Sequence, residues 1–247
     1  GFVGNLSKIF LELEPGAKVG TIPENLFAMF QMTFCIITPA LVIGSYVERI
    51  KFSVVLLFSA FWLLLVYCPV AFWVWGGGFL ANMGVKDFAG GIVVHTTAGL
   101  AALVIALVLG KRRTFASNAI TPPHSPVLTM IGASMLWVGW FGFNVMSAQS
   151  LDGVTGLVAV NSLMAMVGGI LSALFISKLD PGFVHNGALA GLVAVCAGSD
   201  VMHPIGALIT GVLAGLLFVW SFNLCQNKLK IDEYHRLKSL EEEYKDN

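Results

Sequence analysis

Long apolar runs separated by short polar segments dominate the pattern of this chain. The runs fall at about residues 25–48, 52–75, 88–110, 126–148, 155–177, 184–199 and 203–225. Each approaches the ~20 residues that a helix needs to cross a bilayer, and the sixth run is the shortest. The pattern therefore predicts an all-α membrane protein, a polytopic helical bundle with seven spans.

Polar segments flank this bundle on both sides. Residues 1–24 are turn-rich and predict an extracellular loop with one short helix, residues 25–226 form the transmembrane helical bundle, and residues 227–247 form a charged tail. In the tail, Tyr234, Leu237, Leu240 and Tyr244 recur at three- and four-residue steps, which is typical of a short amphipathic helix that either stays solvated or docks. The start shows no signal peptide, and we expect it to be the interior of a longer protein.

Basic residues mark alternate ends of the runs. Clusters follow the first, third, fifth and seventh runs, at Arg49 and Lys51, at 111–113, at Lys178, and at Lys228 and Lys230. Cytoplasmic loops carry the excess of Lys and Arg, so we expect the N-terminus outside and the tail in the cytoplasm.

Composition agrees with a multi-pass membrane protein, which we expect in the plasma membrane. The chain is 57% hydrophobic and only 11% charged, with zero formal net charge, which gives no support to a nucleic-acid partner. Its four cysteines, Cys35, Cys68, Cys196 and Cys225, lack the spacing of metal or redox sites, and we interpret them as small buried hydrophobes. No cofactor, metal site or enzymatic activity is predicted.

The third run carries two costly side chains, Asp87 near its start and His95 eight residues later. A regular helix places His95 about 12 Å further in, near the middle of a ~30 Å hydrocarbon layer. An ionisable residue at that depth indicates a functional site, although a histidine bonded to another helix is the structural alternative. Gly91 and Gly99 flank it at spacing four and leave room for a lumen or a close neighbour.

Other small residues and prolines are more simply structural. Glycines inside the spans, such as Gly187 and Gly191, are expected to pack helices closely. Pro39 and Pro69 should bend the first and second spans.

Aromatic residues converge on the predicted outer side. Phe34, Trp75, Phe143 and Ser147 lie in the outer parts of the first, second and fourth spans. Interfacial aromatics are commonly belt residues, as we expect for Phe72 and Trp73, but an inward-facing cluster would bind an ammonium-sized cation. The interiors of the spans contain no lysine, arginine or second carboxylate to assist a charge, so the substrate should cross the middle uncharged.

Three separated motifs resemble those of the ammonium transporter family (Amt/Mep/Rh). They are Asp87-Phe88-Ala89-Gly90-Gly91-Ile92-Val93-Val94-His95, Gly139-Trp140-Phe141-Gly142-Phe143-Asn144 and Asn186-Gly187-Ala188-Leu189-Ala190-Gly191-Leu192. The resemblance runs from about residue 1 to residue 232. It implies the ammonium-transporter bundle, a homotrimer with one pore per subunit, and a PII-type regulatory protein as partner on the cytoplasmic face.

The same resemblance implies roles for individual residues. Trp75, Phe34, Phe143 and Ser147 match the outer cation site and phenylalanine gate. Asp87 matches the structural and recognition carboxylate, and His95 matches the first histidine of the pore pair.

The family has eleven spans, and this chain resembles only the third to the ninth. Lys230-Ile231-Asp232 resembles the loop before the tenth span, but a polar sequence follows, and His235 is not the second pore histidine. The chain is a truncated natural protein, an engineered piece or an incomplete record.

We therefore expect transport of ammonium or ammonia. The outer site would recruit ammonium, a proton would be lost near Asp87 or His95, and ammonia would pass His95, because a bare cation at mid-bilayer costs at least several kcal/mol. The alternative is an ammonium sensor of the same fold that signals through its cytoplasmic tail. A seven-helix retinal or ligand receptor would need an intramembrane lysine or a polar ligand pocket, and the sequence shows neither.

Overall fold

The computed structural model describes residues 3–112 and 124–231. The α-helices in these ranges are α1 (Glu24–Ala40), α2 (Phe52–Trp62), α3 (Cys68–Trp75), α4 (Phe79–Asn82), α5 (Thr97–Leu109), α6 (Pro126–Val145), α7 (Gly153–Ile176), α8 (Pro181–Val195) and α9 (Pro204–Asn223). Three π-helical segments are continuous with them: Leu63–Tyr67, Gly91–Thr96 and Leu224–Lys228. Single 3-10 turns occur at Ile9–Leu11, Ile43–Ser45 and Met146–Ala148.

Six of the resulting helical stretches are long and apolar enough to cross a membrane. They are Glu24–Ser45, Phe52–Asn82, Gly91–Leu109, Pro126–Ala148, Gly153–Ile176 and Pro204–Lys228. The remaining apolar helix, Pro181–Val195, is shorter, as expected from the sixth run. The predicted helical membrane bundle is confirmed.

The segment before the bundle differs from its prediction. Among its described residues, 3–23, the one helical element is the short 3-10 turn, and two short strands, β1 (Lys18–Val19) and β2 (Ile22–Pro23), pair antiparallel ahead of α1. Gly20, with φ of +59°, lies in the turn between them, a conformation that glycine adopts without steric cost. The hairpin ties the start of α1 to the chain that precedes it.

Glycine lets α7, α8 and α9 touch backbone to backbone. A Cβ atom added to Gly169 in α7 would lie 2.1 Å from the carbonyl oxygen of Gly187 in α8. One added to Gly211 in α9 would lie 2.0 Å from the carbonyl oxygen of Ala165 in α7. The interpretation of these glycines as packing residues is confirmed, and the three helices form the most tightly joined part of the bundle.

Polar residues begin the helices of this second half. Asp152 caps α7 by accepting from the N–H groups of Val154 and Thr155, and Asp180 caps α8 by accepting from Gly182. Such caps satisfy backbone N–H groups that the helix itself leaves free. They fix where each span begins.

Proline interrupts the first half. Pro69 lies in the first turn of α3, directly after the π-helical segment Leu63–Tyr67. Pro39 lies in the last turn of α1, after which the chain continues as turns rather than α-helix. Each proline lies next to an interruption of the α-helix, since proline removes a backbone donor and crowds the preceding turn, and the bends expected there stay predictions.

Two contacts connect the ends of the first and third spans. The Arg49 guanidinium donates to the carbonyl oxygen of Gly110 over 2.7 Å, and Arg112 lies 3.7 Å from the carboxylate of Glu48. Arg49 and Arg112 therefore lie at the same end of the bundle. Arg113, His235 and the predicted tail helix (234–244) lie outside the described residues.

The cysteines are less uniform than predicted. Cys68 is exposed at the surface of the bundle, and Cys35 and Cys225 are only half-buried. The interpretation as buried hydrophobes is wrong for these three, because an apolar side chain in a spanning helix can face the bilayer instead of the protein. Cys196 alone among the four is fully buried.

Candidate functional site

Asp87 begins the third span by binding its free backbone donors. One carboxylate oxygen accepts from the N–H groups of Gly90 and Gly91 at 3.0 and 2.6 Å, and the other accepts from Ile92 and Val93 at 2.8 and 2.9 Å. The side chain is 5% exposed. A buried carboxylate with four donors at the positive end of a helix is both satisfied and electrostatically favoured.

Glycine is required at this bend. Gly90 has φ of +98°, and a Cβ atom there would lie 2.8 Å from a methyl carbon of Val94. The next residue, Gly91, approaches Ala197 so closely that an added Cβ would lie 2.9 Å from the Ala197 methyl. The pair Gly90-Gly91 therefore lets the chain turn into the span while touching the end of α8.

The start of this span is also joined to α8 by backbone hydrogen bonds. Phe88 donates to the carbonyl oxygen of Ala197 at 3.0 Å, and Ala89 donates to that of Cys196 at 2.9 Å. Trp75, at the end of α3, donates its indole N–H to the carbonyl oxygen of Asp87 at 2.6 Å. Asp87 thus links the start of its own span to the end of α3, and the two residues after it link that span to the end of α8.

His95 lies in a π-helical turn, where the sequence predicts a regular helix. Its backbone N–H donates to Gly90, five residues earlier, at 3.1 Å. The hydroxyls of Thr96 and Thr97 likewise donate to carbonyls five residues back, at 2.9 and 3.0 Å. The predicted stripe of Gly91, His95 and Gly99 at α-helical spacing is therefore altered. The turn holds one residue more than an α-helical turn, and it follows directly on the segment held against Ala197. Such π-helical turns are common at functional sites.

The aromatic site candidates Phe34, Trp75 and Phe143 lie together in the structure. The rings of Phe34 and Phe143 are 4.5 Å apart between centroids and tilted by 34°. Trp75 meets Phe34 edge-on at 5.6 Å. Phe34 is only 2% exposed, so the two phenyl rings close the space between α1 and α6.

Phe143 contacts His95 as well as Phe34. The His95 ring lies 5.5 Å from Phe143 and stacks on Trp140 at 5.3 Å with an interplanar angle of 13°. Its Nε2 atom is buried and has no hydrogen-bond partner among the described residues. The imidazole therefore lies among aromatic faces with one polar atom unsatisfied.

Ser147 lies one turn beyond Phe143 and donates its hydroxyl to the Phe143 carbonyl oxygen at 2.7 Å. The donor is thereby used, and the oxygen lone pairs remain able to accept hydrogen bonds. Asp87, by contrast, turns both carboxylate oxygens to the backbone, so its link to the aromatic group runs through Trp75.

Trp140 contacts His95 although the sequence analysis does not assign it to the site. It precedes Phe143 by three residues in α6, and residues at that spacing share a helix face. The three-residue spacing from Phe143, a predicted site residue, is therefore the sequence signal that points to Trp140. Within the described ranges, no three His, Cys, Asp or Glu side chains cluster as a metal site would require.

Comparison with known proteins gives a family match over most of the chain. The Ammonium Transporter Family profile matches residues 1–236. An ammonium transporter of Bacillus subtilis (strain 168) is 41% identical over 225 residues, which are 89% of this chain and 55% of that protein.

Solved structures extend this likeness to three dimensions. The crystal structure of Candida albicans Mep2 superposes with a TM-score of 0.85 at 31% identity, over 95% of this chain and 54% of the other. A structure described as a sensor Amt protein gives 0.78 at 31% identity, over 85% and 56%. The chain spans about half the length of the curated relatives it matches. Its relatives are named as transporters, and the chain itself belongs to the ammonium transporter family.

Proposed function

We propose that the protein transports ammonium across the membrane, recognising the ion outside and passing ammonia inward. The observation that carries this proposal is the position of Phe143, which contacts Phe34 at 4.5 Å on one side and His95 at 5.5 Å on the other. The proposed cation-binding group and the His95 imidazole in the first turns of the span are thereby in direct contact.

The outer mouth, formed by Phe34, Trp75, Phe143 and Ser147, provides the recognition. An aromatic face attracts an ammonium-sized cation by about 0.5–1 kcal/mol when exposed and about 2 or more when desolvated. The Ser147 oxygen can accept one of the ion's N–H groups. The Trp75 ring is held in place by its bond to Asp87, so little ordering is needed on binding.

The contact between Phe34 and Phe143 acts as a gate. With the ring centroids 4.5 Å apart, no ion fits between the faces, and passage requires at least one ring to turn. An ion that enters this apolar region loses its hydration, which favours release of a proton before the crossing.

We place the loss of the proton beside His95 rather than at Asp87. Both oxygens of Asp87 already accept from two N–H groups each, whereas His95 Nε2 is without a partner among the described residues. Asp87 then acts by its charge at the start of the span and by fixing Trp75 and the π turn.

The extracellular N-terminus, the cytoplasmic tail, the homotrimer and the PII-type partner are part of this proposal. They follow from the basic clusters and from the family resemblance. A sensor is the second candidate, favoured by the likeness to the sensor Amt protein at a TM-score of 0.78. A signalling domain encoded after residue 247 would favour the sensor over the transporter.

Substitution of Trp75 in a full-length background tests the proposal. Trp75→Leu removes both the ring face and the indole bond to Asp87, whereas Trp75→Phe removes the bond and keeps a ring. We expect methylammonium uptake at limiting concentration to fall by up to about 30-fold in the leucine variant, which corresponds to about 2 kcal/mol, and by less in the phenylalanine variant. Unchanged uptake by Trp75→Leu would reject the outer mouth as the recognition site, and equal loss in both variants would assign the effect to the indole bond.

A further inference from the structure

The side chain of Cys196, just after α8, contacts α6 and α8 beside the stack of His95 and Trp140. It is fully buried, and its sulfur accepts the indole N–H of Trp140 at 3.3 Å. Its thiol is 3.2 Å from the side-chain oxygen of Asn144 and 3.1 Å from the carbonyl oxygen of Leu192, to either of which it can donate. Asn144 in turn donates to the hydroxyl of Ser162 in α7 at 3.0 Å.

The backbone of Cys196 holds the other side of the same arrangement. Its carbonyl oxygen accepts from Ala89 at 2.9 Å, within the segment that leads into the π turn of His95. One residue therefore anchors both partners of the stack between His95 and Trp140, whose planes differ by only 13°.

The sulfur is the indole's hydrogen-bond partner. A tryptophan has one donor and no acceptor, and Trp140 is 5% exposed, so a lost bond cannot be replaced by bulk water without moving the ring. A rotation of the indole toward another acceptor would break its parallel contact with His95.

We propose that Cys196 is a positioning residue for the conduction path: its sulfur fixes the plane of Trp140 and thereby the orientation of His95. The functional part of this inference rests on the proposed transport function, but the contact can be tested without it. Because the thiol both accepts and donates, serine should replace it in part and alanine should not.

The structural test uses the protein labelled with ¹⁵N-tryptophan in lipid bilayers. The chain has six tryptophans, and Trp140→Phe identifies the indole signal of Trp140. We expect Cys196→Ala to shift that signal and to speed its hydrogen exchange by about tenfold or more, while Cys196→Ser keeps it protected. Cys225→Ala, a change at a half-buried cysteine distant in sequence, serves as the matched control and should leave the signal unchanged.

The functional test separates positioning from recruitment. In Cys196→Ala the maximal rate of methylammonium conduction should fall about tenfold while the half-saturating concentration changes less than about twofold, and serine should restore most of the rate. An unchanged Trp140 signal in the alanine variant, or equal loss with alanine and serine, would overturn the inference. Conduction is measured in a full-length protein that contains this sequence. If that full-length parent does not conduct, the proposed function fails, and the indole signal still decides the role of Cys196.

Discussion

Removal of the Asp87 carboxylate should unfold the start of the third span. Asp87→Ala leaves four backbone N–H groups without their acceptor, all within 3.0 Å of the carboxylate in the structure. A typical helix cap is worth about 0.5–2 kcal/mol, and hydrogen bonds to a charged group are worth about 1.5–3 kcal/mol each. These contributions are not additive, and rehydration recovers part of them. We therefore expect a loss of about 3–5 kcal/mol in the free energy of unfolding, because each buried N–H group left without an acceptor costs about 1–3 kcal/mol before rehydration.

Matched variants separate the charge from the hydrogen bonds. Asp180→Ala removes another aspartate cap, which accepts one backbone N–H at 2.9 Å, and should cost only about 1 kcal/mol. Asp87→Asn keeps one carbonyl oxygen and should fall between the two alanine variants. Asp87→Glu keeps the charge and adds a methylene to a 5% exposed site, so it should retain part of the transport activity that Asp87→Ala abolishes.

The assay is equilibrium unfolding in detergent, followed by methylammonium uptake for each variant in a full-length background. If Asp87→Ala unfolds within about 1 kcal/mol of the parent, the four bonds do not stabilise the span as argued. If Asp87→Ala and Asp87→Glu are equally active, the negative charge is irrelevant to transport.

Two further changes test the packing and the capping of α7. Gly211→Ala should destabilise the bundle by about 3 kcal/mol or more, since its Cβ would lie 2.0 Å from the Ala165 carbonyl oxygen. Gly206→Ala in the same helix meets open space and should be neutral or stabilising. Thermal unfolding in detergent compares the two variants, and equal midpoints would contradict the backbone contact. The Ser150 hydroxyl and backbone N–H groups hold the pKa of the Asp152 carboxyl below its ordinary value. The stabilisation by this carboxylate is therefore present above the unfolded-state pKa and is lost as pH falls through the folded-state pKa. An Asp152→Ala variant whose acid destabilisation matches the parent's would show that this cap does not contribute.

Much of the bundle is predictable from the sequence because each span is a continuous apolar run with polar ends. Pairs such as Gly187 and Gly191 predict the close glycine contacts of α7, α8 and α9. For the aromatic group, the sequence predicts only that Phe34 and Phe143 lie at similar depths. That the two rings meet depends on the contact between their helices, which the sequence does not show.

The remaining features depend on contacts between distant segments. The π turn of His95 arises where residues 88–91 are held against Ala197, and no local pattern records that contact. The bond between Trp140 and Cys196 joins residues 56 positions apart. Helical spacing from Phe143 could have identified Trp140, but the sulfur acceptor could not be identified without the fold.

Conduction of ammonium in proteoliposomes tests the central claim that the path runs past His95. We predict saturable conduction by a full-length protein containing this sequence and its loss in His95→Ala. Residues 1–247 alone should not conduct above empty vesicles, because His95 Nε2 has no partner among the described residues and the family's second pore histidine has no counterpart in this sequence. Full conduction by His95→Ala, or robust saturable conduction by residues 1–247 alone, would contradict this account.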